Sequence, residues 1–234
     1  MLNKVYQGDC LDLMKDIPDN FVDLICTDPP YCVGASSSGV KSSFADFSLI
    51  QPFWENVFSE WQRILRDGTQ IYINTDWRTY PFLCPILQKY FTMRNLIVWD
   101  YEWIKTGNWY RHTYELIIFC THGKLKQRTF SASEKDLWRI KTINYTSPNK
   151  KHPSEKPIEL CEKIIKNSSK NGDTVLDCFV GSGTTCVAAI NTDRNFIGFE
   201  LDEKYFEIAQ KRIEKAFLDK SQPKIFEDIG VDEK

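Results

Sequence analysis

The 234-residue sequence predicts an α/β fold, a mostly parallel sheet covered by helices on both faces, and three observations carry that expectation. Short apolar runs alternate with stretches of helical periodicity. The runs end on acidic or glycine-bearing loops, so polar groups collect beyond the carboxyl ends of the strands, where open sheets bind ligands at a topological switch point. No run approaches the ~18 apolar residues of a membrane span.

The elements follow in order. Residues 4–7 form a strand that ends at Gly8-Asp9-Cys10. Residues 22–27 form a buried strand, stopped by Asp28-Pro29-Pro30-Tyr31 because paired prolines cannot continue a central strand. Residues 32–43, rich in Ser and Gly, form a mobile loop with Gly34 and Gly39 as hinges. Residues 49–65 are helical, with Phe53, Val57, Trp61 and Leu65 spaced four apart. A strand at 69–74 follows Asp67-Gly68, then a helix within 77–90 that contains Pro81 and Pro85. Strands at 95–99 and 114–119 precede a stretch, 123–151, in which periodicity fades into basic, aromatic and polar residues. Order returns with a helix at 157–166, a strand at 174–177, a helix at 184–190, a strand at 196–199 and a helix at 205–216. The residues from Asp219 onward read as a polar tail.

Composition narrows the class. A chain that is 42% hydrophobic and 26% charged is ordinary for a soluble globular protein. The N-terminus has no signal-peptide core, so the expected location is cytoplasmic. Eight cysteines without a Cys-x-x-Cys pair, and three histidines without metal spacing, predict buried free thiols and no metal site; Cys10, Cys26, Cys120, Cys178 and Cys186 lie in or beside apolar runs. The net charge of −2 conceals an asymmetry: residues 101–156 hold eleven basic against five acidic side chains, a local +6, and the remainder carries −8. A basic middle on an acidic body points to an anionic partner or to a solvated basic face.

One motif resembles a cofactor turn. Asp177-Cys178-Phe179-Val180-Gly181-Ser182-Gly183-Thr184-Thr185 follows a strand and opens a helix. The glycines allow a tight turn and a close backbone approach. The third glycine of the dinucleotide fingerprint is absent, and no Gly-Lys-Ser/Thr follows. Asp177 would repel a pyrophosphate but suits an ammonium group, and Glu200, ending the next strand, suits ribose hydroxyls. A ligand with ribose and ammonium but no phosphate is S-adenosylmethionine. Otherwise the turn only tightens strand-to-helix packing.

The second motif is Asp28-Pro29-Pro30-Tyr31. The exocyclic nitrogen of adenine or cytosine is conjugated with its ring and is a poor nucleophile. A carboxylate and a backbone carbonyl that accept its two hydrogens draw it toward tetrahedral geometry. Asp28 supplies the carboxylate, Pro29 the carbonyl, Pro30 rigidity, and Tyr31 a face for an extruded base. Direct transfer then needs only positioning and electrostatics. The structural alternative is a Pro-Pro turn with Asp28 as a cap.

Together these motifs resemble the amino DNA methyltransferases, adenine-N6 and cytosine-N4, in the circularly permuted beta-group order with the catalytic motif first. Gly8-Asp9-Cys10-Leu11, His152-Pro153-Ser154-Glu155-Lys156-Pro157 and Phe199-Glu200-Leu201-Asp202 resemble further family segments, so the likeness covers roughly residues 3–215. The resemblance implies a Rossmann-like S-adenosylmethionine-dependent methyltransferase fold that acts on DNA, as a monomer or homodimer. It implies that Asp28, Pro29, Pro30 and Tyr31 hold the target base. It places Asp9 and Cys10 at the cofactor adenine, Glu200 at the ribose, Lys156 near the carboxylate, and Asp28, Asp177, Phe179, Gly181, Gly183 and Thr184 along the rest of the cofactor. The implied organisation is a catalytic half at 1–122, a target-recognition insert at about 123–151, a cofactor half at 152–218 and a tail at 219–234.

The insert is short for the family, and its Lys124, Lys126, Arg128, Lys135, Arg139, Lys141, Lys150 and Lys151 fit phosphate contacts better than base readout. Trp138 and Tyr145 are either core or stacking aromatics. In the family an Asp at the head of the catalytic tetrapeptide points to adenine, and a Ser to cytosine-N4. Carbon-5 cytosine methylation ranks low because it needs a Cys nucleophile, usually in Pro-Cys, and no Pro-Cys occurs. Methylation of RNA or of protein glutamine usually starts the tetrapeptide with Asn. A degenerate fold that only binds DNA is the competing class.

Overall fold

In the computed structural model of the protein, residues 1–31, 47–104, 109–124, 130–142 and 155–222 are described. The chain runs β1 (Lys4–Gln7), α1 (Cys10–Leu13), β2 (Val22–Thr27), α2 (Phe47–Ile64), β3 (Leu65–Thr75), α3 (Tyr80–Leu87), β4 (Thr92–Asp100), β5 (Tyr114–Thr121), β6 (Leu137–Arg139), α4 (Ile158–Ser168), β7 (Thr174–Asp177), α5 (Thr184–Asn191), β8 (Asn195–Glu200) and α6 (Glu203–Ser221). The strands form one sheet in the order β1-β8-β7-β2-β3-β5-β4-β6. Among the described strands, β5 alone runs antiparallel to its neighbours.

The sheet is sandwiched as expected. On one face Cys10, Trp54, Phe58, Trp61 and Leu87 bring α1, α2 and α3 against Ile25, Ile71 and Ile118 of the strands. On the other, Leu160, Ile164, Ala188, Ala209 and Ile213 bring α4, α5 and α6 against Leu24, Val175 and Phe196. The spacing of α2 explains its orientation: Trp54, Val57, Phe58, Trp61 and Ile64 recur at three- and four-residue steps and are all buried. The seven described cysteines are buried and free, which matches the reading of thiols in apolar runs. No described helix is long and apolar enough to cross a membrane.

Four details differ from the sequence expectation. The third strand begins at Leu65 rather than 69, because Leu65 already pairs with Val22; Gly68, at φ 86°, lies within this irregular stretch. The third helix is shorter than 77–90: Asp76 accepts the backbone N–H of Thr79 at 2.8 Å to set its start, and Pro81 falls in its first turn, where no N–H partner is needed. β6 emerges from the region without periodicity, held parallel to β4 through Trp99↔Trp138. Helix α6 continues to Ser221, past the expected tail boundary at 219, with a Lys215–Asp219 pair at 2.8 Å on its last turns.

The chain order positions the site. From β2 the sheet grows toward β3 on one side, and from β7 toward β8 on the other. The reversal lies between β2 and β7, so the crevice opens beyond Thr27 and Asp177. β1, from the first part of the chain, lies beside β8, and Gly8 donates to the Glu200 carbonyl at 2.9 Å. This carries Asp9 to the same edge as Glu200.

Candidate active site

The two motifs meet at this crevice. The Thr27 hydroxyl donates to Asp177 Oδ1 at 2.6 Å, and the Phe179 amide donates to the same oxygen at 3.0 Å. Asp177 is buried, and that burial pushes its carboxyl up to about 6 despite these donors. The carboxylate expected to meet an ammonium is therefore engaged inside the protein and ties the catalytic strand to the cofactor strand.

Asp28 follows directly. Its Oδ1 accepts the Tyr31 hydroxyl at 2.9 Å, and its Oδ2 lies 2.9 Å from Lys156 Nζ. Lys156 reaches Glu115 Oε2 at the same 2.9 Å, and Tyr31 also donates to that oxygen at 3.2 Å. Pro29 is buried and Pro30 exposed, so the tetrapeptide crosses from interior to surface. Burial opposes the charge of Lys156, but the two carboxylates outweigh it and hold its pKa above the usual lysine value. Burial, with Asp28 and Glu115 beside it, raises the Tyr31 phenol well above its usual range. Lys156, expected at the cofactor carboxylate, sits between Asp28 and Glu115. Glu115 went unpredicted: its signal is one acid in the otherwise apolar strand β5.

The glycine turn has room for a ligand. Gly181 is at φ 53° with nothing within 4 Å of where a Cβ would stand. Its amide donates to Glu200 Oε2 at 2.6 Å, and the Asp202 amide donates to Oε1 at 2.9 Å, which fixes that carboxylate at the mouth of the crevice. Gly183, at φ 88°, caps α5; a Cβ there would stand 3.2 Å from the Cα and Cβ of Ala209 on α6. Arg212, unpredicted because it lies in a Lys- and Arg-rich helix, donates to the Ser182 carbonyl at 2.8 Å, to the Ser182 hydroxyl at 2.7 Å and to Thr184 at 3.4 Å, and pairs with Glu155 at 2.7 Å. It thus joins the segment that carries Lys156 to the turn. Phe179 is half-buried against Phe53 and Trp54. Asp9 is exposed and caps α1 by accepting the Leu11 amide at 2.8 Å, whereas Cys10 turns into the core, where burial raises its thiol to about 12. A fixed, accessible acid at Glu200 and open space at Gly181 fit an adenosine-bearing cofactor. Thr184, Asp177 and Cys10 support the turn and its strands from behind.

A family model described as DNA methylase matches residues 22–211. The chain belongs to the DNA methylase family. Its membership covers the amino methyltransferases of the beta group, and the chain is accordingly an S-adenosylmethionine-dependent DNA methyltransferase. The methylase is 31% identical to the Type II methyltransferase M.HinfI of Haemophilus influenzae, over 91% of this chain and 68% of that protein. It is 30% identical to the DNA adenine methyltransferase YhdJ of Escherichia coli, over 91% and 83%. Among solved structures it superposes on the M1.HpyAVI–SAM complex with a TM-score of 0.71 at 25% identity, covering 90% of this chain and 98% of that one. Its fold also matches the cytosine-N4-specific PvuII DNA methyltransferase with a TM-score of 0.72 at 16% identity, over 92% and 91%.

The basic residues of this methylase divide between the two edges of the sheet. Arg139 ends β6 beside Asp100, and Lys141 follows it, both exposed and both on the edge that carries Asp28. Lys124 lies at the opposite edge, where its backbone amide donates to Asp67 at 2.8 Å. Lys135 is exposed ahead of β6, and its carbonyl accepts Trp138 Nε1 at 2.7 Å. Trp138 is buried core, with Lys163 Nζ 5.1 Å from its ring centroid. Lys126, Arg128, Tyr145, Lys150, Lys151, the segment His152-Pro153-Ser154 and the loop from Cys32 to Ser43 lie outside the described residues. Exposed aromatics also stand on the Asp28 edge: Trp77, just past β3, stacks on His112 at 6.0 Å, His112 meets Tyr114, and Trp109 and Tyr110 stand almost fully in solvent.

Proposed function

We propose that this methylase transfers the methyl group to the exocyclic N6 of adenine at specific sites in DNA, with Asp28, Pro29, Pro30 and Tyr31 holding the base. The observation that carries the reading is the Thr27–Asp177 hydrogen bond of 2.6 Å, which fastens Asp28 next to the glycine turn. S-adenosylmethionine, when bound, supplies an electrophilic methyl on its sulfonium. Glu200 and Asp9 suit its ribose and adenine, and Gly181, Gly183 and Phe179 line its cradle.

Asp28, a carboxylate, accepts one amine hydrogen, and the Pro29 carbonyl accepts the other. Together they turn the nitrogen lone pair out of conjugation and disperse the positive charge that grows on nitrogen during transfer. Half-buried Tyr31 presents its ring to an extruded base. The Asp at the head of the tetrapeptide, and not a Ser, supports adenine over cytosine-N4. DNA lies along the edge that bears Arg139, Lys141 and the exposed aromatics, where cations hold phosphates and rings cover the gap a displaced base leaves. The insert at about 123–151 places Arg139 and Lys141 there, between a catalytic half at 1–122 and a cofactor half at 152–218.

The test is transfer of labelled methyl to unmethylated DNA, followed by digestion to nucleosides. Label in N6-methyldeoxyadenosine is expected. Label in N4-methyldeoxycytidine overturns the base assignment. Incorporation no higher than that of Asp28→Ala overturns catalysis and leaves a DNA-binding module.

A further inference from the structure

Glu115 and Lys156 form, we propose, a relay for the catalytic charge: Lys156 neutralises Asp28 while the site is empty and moves onto Glu115 when the base amine engages. The inference rests on the reading of Asp28 as the acceptor of that amine.

Three observations lead to it. First, both Asp28 oxygens are engaged in the free protein, Oδ1 by Tyr31 and Oδ2 by Lys156. A base amine is a neutral, weak donor. It cannot compete with an ammonium for the same carboxylate, and a carboxylate shared with an ammonium polarises an N–H less. Lys156 therefore opposes the chemistry for as long as it stays on Asp28.

Second, Lys156 has somewhere else to go. Glu115 Oε2 stands 2.9 Å from Nζ, equal to the distance to Asp28. The lysine side chain is 8% exposed, so a lysine released from both acids would be a stranded buried charge. With Glu115 in place, it changes partner without losing a counter-ion. The aromatic surroundings favour the cation throughout, since Nζ lies 5.4 Å from the Tyr31 ring centroid and 6.0 Å from that of Trp99. Trp99 is itself fixed by its indole N–H to the Ile140 carbonyl at 2.8 Å.

Third, the three charged groups sum to one net negative charge, which is what the base amine needs once Lys156 has settled on Glu115. Replacing Glu115 by Gln cancels that charge and leaves the lysine no acidic partner but Asp28, beside the Tyr31 hydroxyl to which it donates at 3.2 Å. Removing the lysine as well restores it. Glu115 is thus a positioning residue that acts on the reaction through Lys156.

The experiment compares wild type, Glu115→Gln, Lys156→Met and the double variant in methyl transfer to DNA. Cofactor is saturating, and S-adenosylmethionine affinity is measured in parallel by calorimetry. The expected result is a kcat for Glu115→Gln lowered roughly ten- to hundredfold with unchanged cofactor affinity, and a double variant several-fold more active than Glu115→Gln alone. A group that only stabilises the fold would make the double variant equal to the single one or worse, and that result overturns the relay. Should Glu115→Gln fail to fold, Glu115→Ala with and without Lys156→Met carries the same comparison. If wild type itself transfers no methyl to DNA, the functional reading fails and the relay with it. If wild type is active and the double variant shows no recovery, the relay alone fails.

Discussion

Thr27 and Asp177 are the last residues of two adjacent strands, and the hydroxyl of one donates to the carboxylate of the other at 2.6 Å. They are 150 positions apart in the chain. Their contact brings a catalytic tetrapeptide and a glycine turn to one crevice, although the family's permuted order separates them widely in sequence.

Asp177 gives this contact a pH signature. Its carboxyl is raised from the usual 3.8 to about 6 in the folded chain, so the folded state binds the proton more tightly than the unfolded one. The stability that follows is fully present below the unfolded pKa and is lost as pH rises through about 6. Asp177→Asn keeps an oxygen for Thr27 and for the Phe179 amide, and it removes the titration. Between pH 7 and 5, wild type is expected to gain about 1 kcal/mol relative to Asp177→Asn in denaturant melts. An unchanged difference between the two across that range counts against a buried, strained carboxylate.

The two glycines of the turn are expected to fail differently. Gly183→Ala meets both a left-handed backbone and Ala209 at 3.2 Å. It should lose about 2–4 kcal/mol of stability in chemical denaturation. Gly181→Ala has a left-handed backbone but open space, so a loss of about 1 kcal/mol is expected. Its larger effect should be on S-adenosylmethionine affinity, read by calorimetry, because the added methyl enters the ligand's space.

The edges of the sheet separate the basic residues. Arg139→Ala is expected to weaken DNA binding and to lower the slope of log K against log salt by about 1. Lys124→Ala, at the far edge beside Asp67, should leave both unchanged. Fluorescence anisotropy over a salt series distinguishes the two, and equal effects would place DNA elsewhere.

Trp77 offers a further check on where DNA lies. It is 52% exposed, stacked on His112, with the Arg78 guanidinium 5.9 Å from its ring centroid. Trp77→Ala should reduce DNA affinity roughly 5- to 150-fold, in line with about 1–3 kcal/mol for an aromatic that stacks on bases, and leave thermal stability within a degree or two of wild type. A change in stability with no change in DNA affinity would make the ring structural.

Most of the fold was legible because burial writes a period into the chain. Strand β2 reads as an apolar run broken by Asp23 alone before it ends at Thr27, and helix α2 repeats its large residues at three and four steps. Strand β6 was not legible: three residues give a single alternation around Trp138, and its register comes wholly from β4. The two motifs of the site were legible because Pro-Pro and the Gly-Ser-Gly turn have few other uses at the end of a strand. Glu115, Lys156 and Arg212 were not, since their roles depend on which distant charge each one faces. The family resemblance places Lys156 near the cofactor's carboxylate, and only the fold shows that Asp28 and Glu115 face it. A run of basic residues likewise does not state which edge of a sheet each one reaches, so only the fold separates Lys124 from Arg139 and Lys141.

The central claim is that Asp28 accepts the amine that is methylated. Asp28→Asn alters only the charge and one oxygen, and the decisive measurement is single-turnover transfer of labelled methyl to DNA by this variant, with cofactor binding measured on the same preparation. The account predicts a rate reduced by roughly a hundred- to a thousandfold, with S-adenosylmethionine bound as tightly as by wild type. A rate within a few-fold of wild type would contradict it.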